Sequence, residues 1–80
     1  MRTRTARMSS NYYAIKVYFI YGTYPAYFNY QIVLGDIQYS FTTSINIALF
    51  YTLEERKKAE IFLYKNLKKL DVKYFEFENV

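Results

Sequence analysis

The chain has 80 residues and among them no cysteine, no histidine and no tryptophan, with one proline and two glycines. Without cysteine there are no disulfides, and without cysteine or histidine the common zinc-type centres cannot be assembled. The most frequent proton shuttle and the thiol nucleophile are excluded with them. Two glycines make no phosphate-cradling loop. Long apolar runs are missing as well: Val17–Tyr21 and Ile47–Tyr51 are the longest, far short of the roughly 20 residues of a spanning helix. The basic start, Met1 to Arg7, is not followed by an apolar stretch of the signal-peptide kind. A soluble, cytoplasmic protein without membrane contact is the expectation.

Eleven tyrosines and seven phenylalanines take the place of staples. A chain this short buries a modest share of its surface, so its stability has to come from packing. Aromatic rings supply roughly 150–250 Å² each when covered.

Residues 1–10, MRTRTARMSS, read as a flexible basic arm, and residues 11–80 as a single α+β domain. From Asn11 onward the pattern alternates. Tyr13, Ile15, Val17, Phe19 and Tyr21 share one face; Phe28, Tyr30, Ile32 and Leu34 repeat the rhythm, as do Ile37, Tyr39 and Phe41. Gly22–Pro25 and Gly35-Asp36 punctuate the runs. With Gly35-Asp36 as a two-residue loop of type II′, Leu34 pairs with Ile37, Ile32 with Tyr39 and Tyr30 with Phe41. With a four-residue first loop, Tyr21 pairs with Ala26, Phe19 with Phe28 and Val17 with Tyr30. Both registers keep apolar residues on one face. A bend at Thr42-Thr43-Ser44 and a short extended piece, Ile47–Tyr51, lead to Thr52-Leu53-Glu54-Glu55, a capping-box sequence. A helix from about Leu53 to Leu70 follows, with Ala59, Phe62, Leu63, Leu67 and Leu70 along one side. Val72–Phe77 reads as a last strand. The expected fold is a two-layer α+β domain: a three-stranded antiparallel meander, one helix and a final strand, β-β-β-α-β.

Chemistry finds little to work with. Glu54 and Glu55 lie in a helical first turn, where acids are favoured by the dipole alone. Glu76 and Glu78 share one strand face, a pattern that suits edge solubility better than a metal. No catalytic residue, no metal ligand and no cofactor is expected; the reading is a binding protein, not an enzyme.

Two surfaces are candidates. The first is basic: Arg2, Arg4 and Arg7 in the arm, then Lys57, Lys58, Lys65, Lys68 and Lys69 on the helix, the lysines facing away from Ala59, Leu63 and Leu70 with Ile61 among them. A basic helix face beside a basic arm suits a phosphate backbone, and equally a solvated helix. The second is the outer sheet face, with Tyr12, Lys16, Tyr18, Tyr27 and Asn29, and Gln31, Ser40 and Thr42 beyond. Aromatics with a cation and amides on a sheet can stack bases, stabilise each other across strands or contact a protein.

The alternating meander, then Ala48-Leu49-Phe50-Tyr51-Thr52 leading into a capped helix with Lys58-Ala59-Glu60, resembles the small accessory proteins of phages and archaeal viruses. That resemblance implies a partner in the host cytoplasm, a host protein or nucleoprotein complex, and an inhibitor of host defence as one such role. A basic chain would then occupy a nucleic-acid channel or its rim in preference to imitating DNA. Two further expectations stand beside it: a small nucleic-acid-binding protein using the arm and the Lys-rich helix, and a self-assembling structural subunit that pairs through the final strand or a sheet edge, as in a homodimer.

Overall fold

Strict alternation of β-branched and aromatic residues with polar ones produces strands wherever one face can be covered, and the chain does this four times. The computed structural model describes residues 11–80. Strands β1 (Tyr13–Phe19), β2 (Ala26–Val33) and β3 (Asp36–Thr42) precede helix α1 (Leu53–Lys65) and strand β4 (Val72–Asn79). They form one antiparallel sheet in the order β3-β2-β1-β4. The fold is α+β with element order β-β-β-α-β. The arm arginines Arg2, Arg4 and Arg7 lie outside the described residues.

The helix covers the face that carries Ile15, Val17, Phe28 and Tyr30, which close around Ala59 and Leu63 with Tyr51 and Val72. Phe28 is at the centre of the aromatic packing, with rings of Tyr30, Tyr39, Phe41 and Phe62 at 5.6–5.9 Å. Thr52 caps the helix as its sequence dictates. Its hydroxyl accepts from the Glu55 amide at 3.3 Å, and the Glu55 carboxylate accepts from the Thr52 amide at 2.8 Å.

The helix is shorter than the expected Leu53–Leu70. It stops at Lys65 because Asn66 breaks it: the Asn66 side chain donates to the Phe62 carbonyl, and its backbone N–H turns to Leu63. Leu67 and Leu70 still pack on the core, but from a turn. That turn ends at Asp71, whose φ of 56° sends the chain back into β4. Lys68 and Lys69 therefore belong to the turn and not to the helix.

Both hairpin registers differ from expectation by an even number of residues. Ile32 pairs with Ile37 and Tyr30 with Tyr39, while Val17 pairs with Ala26. Strand β1 ends at Phe19, because its last residues follow β4, where the step from Tyr18–Tyr74 to Phe19–Val72 leaves Lys73 as a bulge. The loop between β1 and β2 is longer for it.

β1 and β2 pair directly only at Lys16–Tyr27 and Val17–Ala26. Continued, that register would set Tyr13 opposite Tyr30. Tyr51 stands between them instead. Its backbone exchanges two hydrogen bonds with Tyr13, at 2.7 and 2.8 Å. Its hydroxyl accepts from the Tyr30 amide at 2.7 Å and donates to the Tyr30 carbonyl at 3.2 Å. A side chain thus completes the rung that a strand would have made. Only this residue of the expected extended piece, Ile47–Tyr51, bonds as a strand does. The Asn29 side chain holds the rest of the piece, donating to the Ile47 carbonyl and accepting from the Leu49 amide.

The Tyr30 hydroxyl reaches the helix, donating to the Glu55 carbonyl at 2.6 Å, and its ring stacks on Tyr51 at 4.8 Å. Burial, with the Glu55 charge and Tyr51 adding to it, pushes the Tyr30 hydroxyl up from 10.0 to about 12. A folded pKa above the unfolded one means that the stabilisation is complete below pH 10 and is lost as pH rises toward 12. Urea unfolding from pH 8 to 11.5 should show constant stability up to about pH 10 and a fall above it. In Tyr30→Phe the fall should be shallower.

Candidate binding surfaces

Cross-strand neighbours determine what the outer sheet face can offer. Register places Glu76 opposite Lys16, Glu78 opposite Ala14 and Tyr74 opposite Tyr18. The face is consequently tied up within itself. Lys16 donates to Glu78 at 3.2 Å, Tyr27 to Glu78 at 3.0 Å and Tyr18 to Glu76 at 2.8 Å. The Tyr18 and Tyr74 rings stack at 4.4 Å. The hydrogen bond to Glu78 raises the Lys16 pKa, the bond to Glu76 raises that of Tyr18, and burial raises that of Tyr27. Of the sequence candidates, Tyr12 is exposed, while Lys16, Tyr18, Tyr27 and Asn29 are half-buried and engaged. Thr42, expected to be open, is half-buried too. Two carboxylates beside one paired lysine make this face unsuited to a phosphate backbone. Of the three roles open to this face, base stacking is the least favoured, because β4 supplies acids that reading β1 and β2 alone did not set there.

The helix side keeps its charge. Lys57, Lys58, Lys65, Lys68 and Lys69 are all exposed, and the one ion pair among the described residues is Lys16–Glu78. Ile61, at 59% exposure, and Tyr64, at 62%, interrupt the lysines. Arg56 behaves differently from its neighbours. Its guanidinium lies 4.7 Å from the Tyr13 ring and 4.2 Å from that of Phe77. Cation–π contacts hold it in the fold and remove it from the basic surface. Only the position of β4 beside β1 reveals the sandwich.

The third surface is an edge. Leu34 and Gly35 form the two-residue loop between β2 and β3, with φ of 53° and 85°. Positive φ at both positions is the pattern of a type I′ turn, whose twist matches that of the flanking strands. It displaces the expected type II′ turn at Gly35-Asp36 and makes Asp36 the first strand residue, paired with Val33. Such a turn closes on a hydrogen-bonded pair, so Asp36, Gln38, Ser40 and Thr42 turn their amides and carbonyls to β2. Ile37, Tyr39 and Phe41 then turn theirs to the open side. The same parity aims Tyr30 at β1, where the Tyr51 hydroxyl meets both its groups.

The sheet's two edges are unalike. β4 carries Lys73, Glu76 and Glu78 and a bulge, the usual protections against pairing. β3 has no lysine, no proline and no bulge, and its sole charge is Asp36 at the start. Beside it runs a groove of about 440 Å³, floored by Asn29, Gln31, Gln38 and Ser40 and walled by Ile47 and Leu49. Ile45 and Phe50, in the same connecting segment, are exposed as well.

No group of three or more acidic, histidine or cysteine side chains among the described residues could hold a metal ion. No helix among them is long and apolar enough to cross a membrane. No protein-family model matches the chain, and neither the curated proteins nor the solved structures compared with it gave a match.

The turn that sets this edge is held by a residue ill-suited to it. A left-handed backbone costs a non-glycine residue roughly 1–2 kcal/mol, less for asparagine, and Leu34, at 99% exposure, has no packing to lose. Leu34→Asn should raise the unfolding free energy by about 1 kcal/mol in urea titration with an unchanged slope.

Proposed function

We propose that the protein is a non-enzymatic binding module that takes an extended segment of a partner protein along β3. The open β3 edge, charged only at Asp36, carries this reading, since main-chain hydrogen bonds supply affinity in strand addition and alternate side chains supply specificity. A partner strand would meet the outward groups of Ile37, Tyr39 and Phe41. Its side chains on the outer face would meet the amide-floored groove and the apolar wall of Ile47 and Leu49. On the resemblance set out above, the partner is a protein or nucleoprotein complex of a host cell, and inhibition of a defence complex is one role that fits.

A second reading rests on a separate observation, the unpaired lysines. Lys57, Lys58, Lys65, Lys68 and Lys69 would contact phosphates, and Arg2, Arg4 and Arg7 are the further cations this reading draws on. On duplex DNA such binding weakens with salt by a logarithmic slope of about 0.9 per phosphate contact.

The two readings separate by substitution. Gln38→Lys with Ser40→Lys places charge on the edge without touching the core, because both side chains are exposed on the outer face. Affinity capture from host extract should retain a protein with the unaltered chain, lose it with the edge variant, and keep it when the five lysines are changed to glutamine. Retention by the edge variant would contradict the strand-addition reading. Retention that ends with the lysine changes or with nuclease treatment would move the function to phosphate binding.

A further inference from the structure

The β3 edge is complementary to itself. If two copies of Asp36–Thr42 are laid antiparallel about Tyr39, residue numbers across the new seam sum to a constant, and each position meets a compatible one. Tyr39 meets Tyr39, Ile37 meets Phe41, Gln38 meets Ser40, and Asp36 meets Thr42. No like charges face each other, and every hydrogen-bonding group turned outward finds its counterpart, because Ile37, Tyr39 and Phe41 are the outward set in both copies. The aromatic and aliphatic pairs fall on the helix side of the sheet, where Tyr39 is 39% exposed although its ring already packs on Phe28 and Phe62. Pairing would cover that remaining surface and join the two cores. β3 itself has no lysine, and Lys73 lies on β4, the strand at the opposite edge of the sheet. β4 offers no comparable match, since its bulge at Lys73 interrupts the ladder a second copy would need.

We infer that the β3 edge of one copy pairs with the β3 edge of a second, about a two-fold axis at Tyr39, to give a continuous eight-stranded antiparallel sheet with a helix on each half. The inference rests on the open-edge reading above and names the occupant as this chain itself. A two-fold contact of this kind is closed, so assembly stops at the dimer. A heterologous partner strand would then compete with self-pairing for the same groups.

A chain free of cysteine makes the register directly testable. Across the proposed seam Gln38 and Ser40 form a non-hydrogen-bonded pair, with Cα atoms about 4.5 Å apart, within the roughly 4.4–6.8 Å that a disulfide spans. Gln38→Cys and Ser40→Cys, prepared separately and mixed under a mild thiol oxidant such as diamide, should give the mixed disulfide as the main product. Each variant alone should cross-link at least several-fold less. Sedimentation equilibrium of the unaltered chain should show a reversible dimer, abolished by Gln38→Lys with Ser40→Lys. A chain that remains monomeric at all concentrations, or cross-linking no greater in the mixture than in the single variants, overturns the inference. The open-edge reading fails on different grounds, namely capture of a foreign partner that is indifferent to the same double substitution.

Discussion

Tyr51 holds the sheet together at its narrowest point. β1 and β2 share two direct rungs, and the rest of the seam is completed by one residue that uses its backbone toward Tyr13 and its hydroxyl toward Tyr30. Remove the hydroxyl, and a buried amide and carbonyl lose their partners, at a cost of about 1–3 kcal/mol for an unsatisfied group. The position is doubly determined. Thr52 follows at once as the helix cap, and Tyr30 bonds the Glu55 carbonyl within the first turn. Strand seam and helix start are therefore one assembly. The helix is placed over the sheet by the residue that closes it.

This arrangement leaves the two sheet edges with different fates. β4 arrives last, lies against β1 along its whole length and brings Glu76 and Glu78 to neutralise Lys16 and to engage Tyr18 and Tyr27. The outer face near β4 is consequently closed and polar. β3 lies at the far side, joined to the rest through β2, and neither the helix nor the connecting segment takes up its outward groups among the described residues. Charge segregates in the same way: acids on the outer face at one edge, unpaired lysines on the helix side, and at the other edge a strand whose one charge is Asp36 at its start. The proposed strand addition falls to β3 because the polar groups of the β4 side are already engaged.

How far the sequence reveals this depends on what period two can encode. Alternation says which residues share a face, and all three meander strands present the expected face to the helix. It says nothing about an even slip. Ile32 opposite Tyr39 or opposite Ile37, Val17 opposite Tyr30 or opposite Ala26, keep the same faces buried, and only the turn geometry at Leu34-Gly35 and the bulge at Lys73 choose between them. Capping chemistry was legible at Thr52 because it is local. The helix end was not, since Asn66 and the Leu67–Leu70 turn preserve the apolar spacing after the helical bonds have stopped. The site was least legible. Nothing in Ile47–Tyr51 marks its last hydroxyl as a strand substitute, and nothing near Arg56 reports that Tyr13 and Phe77 enclose it from distant parts of the chain.

β3 turns the amides of Ile37, Tyr39 and Phe41 outward, and no backbone group among the described residues takes them up. Residue-resolved amide hydrogen exchange on dilute protein tests it directly. The account predicts alternation along the strand, with Gln38, Ser40 and Thr42 exchanging slowly and Ile37, Tyr39 and Phe41 exchanging fast. Uniform protection of all six amides at the lowest concentration would show that the edge is covered within a single chain, and would contradict it.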